Sequence, residues 1–593
     1  MAPFAYIRTF LPFPAMDSPG SPTRAAATPT HEPKLSKDGT PDLYKTSSLR
    51  EVDSSDFPEL AEPFWSKFIP PIYNEKRVLK LTAFQMTWAV QMVAGIAVMF
   101  FGFDQGVMSG VNESKDYLRL MGTDSGVNGS QTERDSAAIG GIVAIYYLGT
   151  LIGGLGGGYI ADSVGRMKAI LFGSVWVVLG ASLQASAQNI TWMMFARVLC
   201  GFGTGTYNAV VPVWVAELSK HDKRGQAIGF EFVCNIFGLM LVYWLSFGVR
   251  NIETNGFNWR FPLAFQLVFV AMLLVALPFF PESPRWLAKM GRVDEAKRIL
   301  TRLRSHPYNE NDPAVTAELQ EILQVAKLER IRMEKGEDGF ISQLVSSSGK
   351  LHLRRRIILV VWLQILQELA GIGVVTVYAP TVFRSGGFGD TLARLLSGFN
   401  DVSYMFAVFI SVFTLDRTGR RKALYWGNII MGISLFIAGV AAKYALEYGP
   451  ESVSPDLALA KRWGAVLASM IFIYTAAFAA GWLAIPWLYP TEVFPLFIRA
   501  KGGSWSVFGW SIGNGVVTEI TPFLFNAIKY NTFFLFGALN FFCMPFIWAF
   551  YPETSCRSLE SIDELFEGSS AFIAFDKRLT SVGSQKVADE TSA

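Results

Sequence analysis

Charge is scarce in this sequence. Only 17% of its 593 residues are Asp, Glu, Lys or Arg, against about 25% in an ordinary soluble domain. Acids and bases nearly cancel, leaving a formal net charge of +3, too little to suggest a nucleic-acid partner. Cysteine is rarer still, at Cys200, Cys234, Cys543 and Cys556. The first three lie in apolar stretches and none stands at metal-ligand spacing. No disulfide framework or metal is therefore expected, and packed free thiols are the plain reading. No nucleophile–base set, phosphate loop or ligand cluster appears, so an enzyme is not expected and no cofactor is called for. The N-terminus also lacks a clean secretory signal, because Pro3, Pro12 and Pro14 interrupt its apolar start and no cleavage site follows.

What the chain has instead is apolar length. Hydrophobic residues make up 51% and aromatic residues 14%, gathered into repeated runs of roughly twenty residues, each long enough to cross about 30 Å of hydrocarbon. Such runs start near Ala83, Ala137, Met167, Thr191, Gln226, Trp259, Ile357, Thr391, Lys422, Arg462, Ala500 and Thr532. They define an all-α membrane protein of about twelve spans, and the polar stretch from Pro281 to Arg356 divides them six and six. The expected divisions are a largely disordered N-terminal tail over 1–82, a six-helix bundle over 83–280 and linker helices over 281–356. A second bundle over 357–551 and a tail over 552–593 complete the chain. The Ser-, Thr-, Pro- and charge-rich composition from Met16 to Phe57 is what makes the first tail read as disordered. Lys and Arg crowd the linker, notably at Arg354-Arg355-Arg356, and recur at Lys220 to Arg224 and Arg417 to Lys422. Span counting puts all three on one side, and the positive-inside rule makes that side, with both termini, cytosolic. The longest loop on the other side, Gly110 to Ala137, carries glycosylation sequons at Asn112 and Asn128.

Polar motifs repeat between the halves. Asp162-Ser-Val-Gly-Arg166 follows the second span and Asp416-Arg-Thr-Gly-Arg420 the eighth. Glu217 and Arg224, like Glu492 and Arg499, stand seven residues apart after the fourth and tenth spans. Pro281-Glu282-Ser283 closes the sixth span, with Arg285 just beyond, and Pro552-Glu553-Thr554 closes the twelfth. Three pairs in the same order imply duplication, with two bundles related by an axis along the membrane normal. Carboxylates and guanidiniums at helix ends can bridge within and between bundles and so form a cytosolic gate. Alternatively, they only set topology and solvate the loop ends.

With these motifs in view, the chain resembles the sugar porters of the major facilitator superfamily, especially fungal-type hexose and monosaccharide transporters. The resemblance rests on Phe101-Gly-Phe-Asp104-Gln-Gly106, Arg197 before Gly201-Phe-Gly203-Thr-Gly205, Pro212 to Glu217 with Arg224-Gly225, Pro281-Glu-Ser-Pro-Arg285-Trp286, and Pro486-Trp487 through Glu492 to Arg499. It covers roughly Leu79 to Phe566. The resemblance implies that Asp104 takes up a proton and that Arg197 modulates it. A carboxylate within a span is costly and functional by default. A guanidinium favours its ionised form, and moving the guanidinium away makes protonation easier. A purely structural ion pair is the other reading.

The implied sugar site departs from the family pattern. The seventh span reads Gln364-Ile-Leu-Gln367-Glu368-Leu-Ala-Gly371-Ile-Gly373, with Glu368 where the pattern has glutamine and Gly373 where it has asparagine. Positions that match other amides fall on Phe232, beside Glu231, and on Tyr404 and Trp510. Asn400 and Asn514 lie one helical turn away and substitute if they face the cavity. Trp487 matches the tryptophan against which sugars stack. Glu368 either serves the cavity or faces a neighbouring helix as a protonated acid. The expected function is a plasma-membrane proton symporter importing a sugar or related polyol by alternating access. A facilitative carrier of a sugar or sugar acid and a transporter-like nutrient sensor are the alternatives. The expected partners are the substrate, a proton and the lipid bilayer, and the sequence does not fix the oligomeric state.

Overall fold

A computed structural model describes residues 57–554 and Phe566, except 61, 71–72, 126–131, 220–223, 253, 306–307, 335–351, 451–454 and 495–498. The first half runs through α1 (Ala83–Val111), the short α2 (Lys115–Met121), α3 (Glu133–Val164), α4 (Arg166–Ala185), α5 (Ile190–Leu218), α6 (Arg224–Val249) and α7 (Phe257–Ala276). Three linker helices follow: α8 (Pro284–Lys289), α9 (Val293–Arg304) and α10 (Pro313–Glu334). The second half begins with α11 (Leu353–Leu369), α12 (Ile372–Val377) and α13 (Ala379–Arg384). It continues through α14 (Asp390–Thr418), α15 (Arg420–Glu447), α16 (Leu457–Gly481), α17 (Ile485–Val493), α18 (Arg499–Ala527) and α19 (Asn531–Phe550).

Ten helical stretches among the described residues are long and apolar enough to cross a bilayer. Two more complete the twelve-span fold. The seventh span is cut into α11, α12 and α13, because Gly371 turns at φ +99°, a conformation that glycine reaches without a Cβ penalty. The eleventh, α18, is continuous but carries Lys501, Ser504, Asn514 and Glu519. Local caps fix where spans start. Thr82 and Gln85 form a reciprocal box at α1, and Thr132 and Asp135 do the same at α3.

The duplication is visible atom by atom. Gly165 (φ +97°) and Gly419 (φ +82°) precede the equivalent helices α4 and α15. The backbone N–H groups of Arg166 and Met167 donate to Glu282 at 3.0 and 3.1 Å. Those of Arg420 and Arg421 donate to Glu553 at 2.9 and 3.0 Å. Each acid thus occupies the positive end of a helix. A Cβ on either glycine would lie 2.7 Å from Glu282 or 3.0 Å from Glu553, so both positions need glycine for space as well as for φ.

Within the first half, α3 and α5 meet backbone to backbone. A Cβ at Gly149, Gly153, Gly201 or Gly205 would fall between 2.0 and 2.2 Å from a carbonyl oxygen of the opposite helix. Gly153→Ala must therefore prise the pair apart, at a cost of about 1–3 kcal/mol for an overpacked interior. Gly156→Ala, where the added carbon meets nothing within 4 Å, is the control. Thermal melting of the purified protein should fall for the first and not for the second; equal melting of both would refute the close-contact account.

The halves meet along α3 and α18. Near one end Ser136 accepts a hydrogen bond from Asn526, midway Thr150 and Ser511 share one at 2.8 Å, and near the other end Gly158 faces Ser504. The α6–α14 pair closes the opposite flank, through Trp244 against Phe399 (5.4 Å) and Gly229 against Val412.

Of the expected N-terminal tail over 1–82, the part that the structure describes is packed against the rest of the chain. From Phe57 the chain is held against the linker helices and the first half. Arg330 donates to the Pro58 carbonyl at 3.1 Å and its guanidinium lies over the Phe57 ring. Leu60 N–H donates to Met290, Lys168 pairs with Glu62, and Arg298 grips both oxygens of Glu75 at 2.6 and 3.0 Å. These partners lie more than a hundred residues away in sequence, so composition does not announce the docking. Hydrogen bonds from Arg298 hold the Glu75 carboxyl below its ordinary range. That grip is complete at neutral pH and is lost only as pH falls through the lowered value. The linker is in turn anchored by Arg304, which donates to the Leu218 and Ser219 carbonyls, both at 3.0 Å.

Candidate functional site

Asp104 lies in the third quarter of α1 and is fully buried. Four side chains from two other helices converge on it. Arg197 (3.3 Å) and Gln266 (3.2 Å) donate to Oδ1, while Thr204 (3.3 Å) and the Cys200 thiol (3.6 Å) donate to Oδ2. Arg197, Cys200 and Thr204 recur at helical spacing along one face of α5. That helix is held in register by its glycine contacts with α3. Arg197 is 1% exposed, and its guanidinium stacks over the Tyr146 ring of α3 at 4.4 Å. The expected Asp104–Arg197 pair is thus present. Cys200, Thr204, Gln266 and Tyr146 complete the shell; the α5 residues are findable by spacing from Arg197, whereas Gln266 on α7 has no such signal.

Phe101, one turn before Asp104 on α1, and Gln105, the residue after it, face a central cavity between the halves. Its volume is about 30 Å³, roughly the space of one water. Phe232 from α6, Gln367 and Glu368 from α11, Tyr404 from α14, Trp487 from α17 and Trp510 from α18 also line it. The rings interlock: Phe101 lies 5.2 Å from Trp510, Trp487 lies 6.0 Å from Trp510 and 5.9 Å from Phe232. Gln367 donates to the Trp482 and Leu483 carbonyls at 2.9 and 3.2 Å, leaving its own Oε1 without a partner. Glu368 is 2% exposed and its Oε2 is likewise unpartnered. Asn235 and Thr376 are lining residues that sequence comparison with the family pattern did not single out.

Two expected contacts stand outside the cavity lining. Gln364 is buried and donates to Ser506 at 2.6 Å. Asn514 is fully buried with both amide atoms unpartnered, and its Oδ1 lies 3.3 Å from where a Cβ on Gly373 would be. Its amide therefore borders the gap left by the missing asparagine at 373. Asn400 is engaged elsewhere, accepting from Thr475 at 2.9 Å.

The charged motif residues form two matching clusters, each inside one half. Arg166 grips Glu217 at 2.9 and 3.0 Å and reaches Asp162 at 3.2 Å. Arg420 binds Glu492 at 2.8 Å, and Thr554 donates to the same acid at 2.5 Å. These bonds tie helix ends within a bundle. Across the halves on this side, Lys501 of α18 lies 5.7 Å over the Tyr159 ring of α3. Arg285 is half-buried at the start of α8, with no ion-pair partner among the described residues. The side chains of Arg224, Asp416 and Arg499 lie outside the described residues.

The opposite face has a charged bridge that no motif announced. Glu113, just beyond α1, pairs with Arg384 of α13 and with Arg394 of α14 at 3.2 Å. It borders a polar cavity of about 220 Å³ lined also by Tyr243, Arg250 and Asp390. Nearby Asn112 has both amide atoms buried and unpartnered, so this structure does not present it for glycan attachment. Asn128 lies outside the described residues.

Two helical halves around an occluded central cavity, with a buried acid–guanidinium pair beside it, define a transporter of the major facilitator fold. The sequence profile of the family described as "Sugar (and other) transporter" matches residues 90–566, and the chain belongs to that family. An MFS-type transporter, oryC, of Aspergillus oryzae is 32% identical over 84% of this chain and 89% of its own length. The sugar transporter STL1 of Saccharomyces cerevisiae is 28% identical over 82% of each. Among solved structures, the proton:xylose symporter XylE bound to 6-bromo-6-deoxy-D-glucose aligns with a TM-score of 0.66. The alignment has 24% identity and covers 81% of this chain and 99% of XylE, a likeness of fold. Members of this family are transporters rather than enzymes.

Proposed function

We propose that this protein is a proton-coupled symporter that imports a small polyhydroxylated compound, a sugar or related polyol, across the plasma membrane. The observation that carries this reading is the fully buried Asp104–Arg197 pair, one helical turn from residues of the central cavity. Buried ionisable groups within spans mark proton relays. Arg197 holds Asp104 while its guanidinium already lies over the Tyr146 ring; a proton arriving on Asp104 removes the charge that draws the guanidinium to it and so loosens the pair. Substrate entering between the aromatic rings and proton binding then bias the same alternating-access equilibrium. The name of the yeast relative supports a sugar-like substrate. The basic residues of the linker side support its cytosolic placement, with both termini there. On this reading the Arg166 and Arg420 clusters keep each bundle rigid at its cytosolic end while the bundles move. Residues 83–280 and 357–551 are the moving bodies and 281–356 the linker.

The test is uptake of a labelled sugar and polyol panel in cells without their own hexose carriers, across external pH and with an uncoupler. Uptake should rise on external acidification and collapse with the uncoupler. Asp104→Asn should lose concentrative uptake by about tenfold or more, the range of a lost coupling interaction, while retaining substrate exchange. Flux indifferent to pH and uncoupler in both proteins would make this a facilitative carrier instead.

A further inference from the structure

We infer that the central site takes a polyhydroxylated compound bearing a protonated amine, with Glu368 as its counter-charge and the surrounding rings as its cage. The inference rests on the carrier reading above and narrows its substrate.

Three features of the cavity lead to it. Glu368 is the one acidic residue among those that line the cavity, and no lysine or arginine is among them. Its Oε2 has no hydrogen-bond donor, and the Trp510 indole that hydrogen-bonds the carboxyl is neutral. The buried arginines of the first half are already committed, Arg197 to Asp104 and Arg166 to Glu217. A carboxylate shut away from water without a counter-cation is strongly disfavoured, so a cationic ligand is what would let Glu368 carry its charge. A second buried acid, Asp401, stands one turn before Tyr404 with its Oδ2 also unpartnered, and Tyr404 lies within electrostatic reach of both acids.

The second feature is the rings. Phe101, Phe232, Trp487 and Trp510 are packed edge to face or tilted around the same space as Glu368. Aromatic faces carry negative potential and attract ammonium groups, most strongly when water is excluded. Rings alone would suit stacking against any sugar; rings beside an acid with no lysine or arginine in the lining favour a cation. The third feature is the set of neutral polar groups at the same place. Gln367 offers a free Oε1, and Asn235 and Gln105 are within the lining, which suits hydroxyl donors on the rest of the molecule. A sugar acid would set a second negative charge against Glu368, and an apolar cation would leave the amides unused.

The cavity of about 30 Å³ is far below the several hundred Å³ of a ligand-bearing site. The structure therefore shows the site closed on itself, and the rings must part to admit substrate.

The decisive probes are D-glucosamine, D-glucose and N-acetyl-D-glucosamine, applied to proteoliposomes at a pH where the amine is protonated. Glucosamine should compete or be carried about tenfold better than the two neutral compounds, the scale of a charge-assisted contact with cation–π support. Glu368→Gln should bring the three close together while melting like the parent. Glucosamine no better than glucose in the parent protein, a comparison that needs no variant, would overturn the inference. So would a preference that survives Glu368→Gln. In either case, pH-dependent carriage of the neutral sugars would leave the carrier reading standing. Carriage of no probe would count against that reading and this inference together.

Discussion

Arg197→Ala is expected to be the most damaging single substitution in the membrane core. Removing one partner of a buried ion pair typically costs about 3–5 kcal/mol, because the other charge is left uncompensated. Here both members are almost fully buried. Gln266, Thr204 and Cys200 remain to solvate Asp104, but none carries charge. Alanine would also empty the space over the Tyr146 ring that the guanidinium fills. The purified protein should melt well below the parent. Adding Asp104→Asn should recover part of the loss, since a neutral amide no longer needs the arginine; a double-mutant cycle measures that coupling. Unchanged melting of Arg197→Ala, or strict additivity in the cycle, would show that the pair is not the electrostatic unit described.

Glu113→Gln should weaken closure on the face away from the linker by about tenfold to a hundredfold. Each charge-assisted hydrogen bond contributes about 1.5–3 kcal/mol, and a differential of that size moves a two-state equilibrium accordingly. Glu113 belongs to the first half and its partners Arg384 and Arg394 to the second, so the bridge exists only while the halves are together there. The side chain of Glu113 is 13% exposed and that of Arg394 is 24%, which leaves solvent able to screen part of the effect. Neutralising the acid also leaves the two guanidiniums with only the exposed Asp390 as a shared counter-ion, at 3.5 Å from Arg384 and 4.0 Å from Arg394. The readout is labelling of a cysteine introduced at Ser246, in the adjoining cavity, by a membrane-impermeant maleimide. The native cysteines that the structure describes are buried or half-buried. Labelling should be faster in the Glu113→Gln background and slower again with excess substrate that closes the site. Identical labelling rates in both backgrounds would remove Glu113 from the gate.

Span positions were legible because the signal is local: the expected starts at Ala83, Met167, Thr191 and Gln226 lie within two residues of the observed helices. The break in the seventh span was not. It depends on the backbone of Gly371, and nothing distinguishes that glycine from Gly373, which stays helical. The motif carboxylates and arginines were likewise readable as residues that pair. That the described pairs tie helices inside each half is a matter of three-dimensional register. Glu113 had no motif, only a place just beyond the end of α1. For the cavity, Phe232, Glu368, Tyr404, Trp487 and Trp510 could be placed from the family pattern, whereas Asn235 and Thr376 are defined by helix rotation that the pattern does not encode.

The α3–α18 contact limits the kind of movement available to the halves. Near both ends it is already at backbone or near-backbone distance, since Gly140 would meet the Glu519 carbonyl at 2.7 Å and Gly158 the Ser504 hydroxyl at 2.1 Å if either bore a Cβ. Neither end has slack to be squeezed further. A see-saw about the midpoint would require one end to compress as the other parts, and close-packed interiors resist that. On the alternating-access reading proposed above, the pair would instead pivot like a pair of scissors held at the shut end, and the Thr150–Ser511 hydrogen bond would break on each swing. On that reading, opening on one face is a separate event from closure on the other, with the fully shut arrangement as a stop between them.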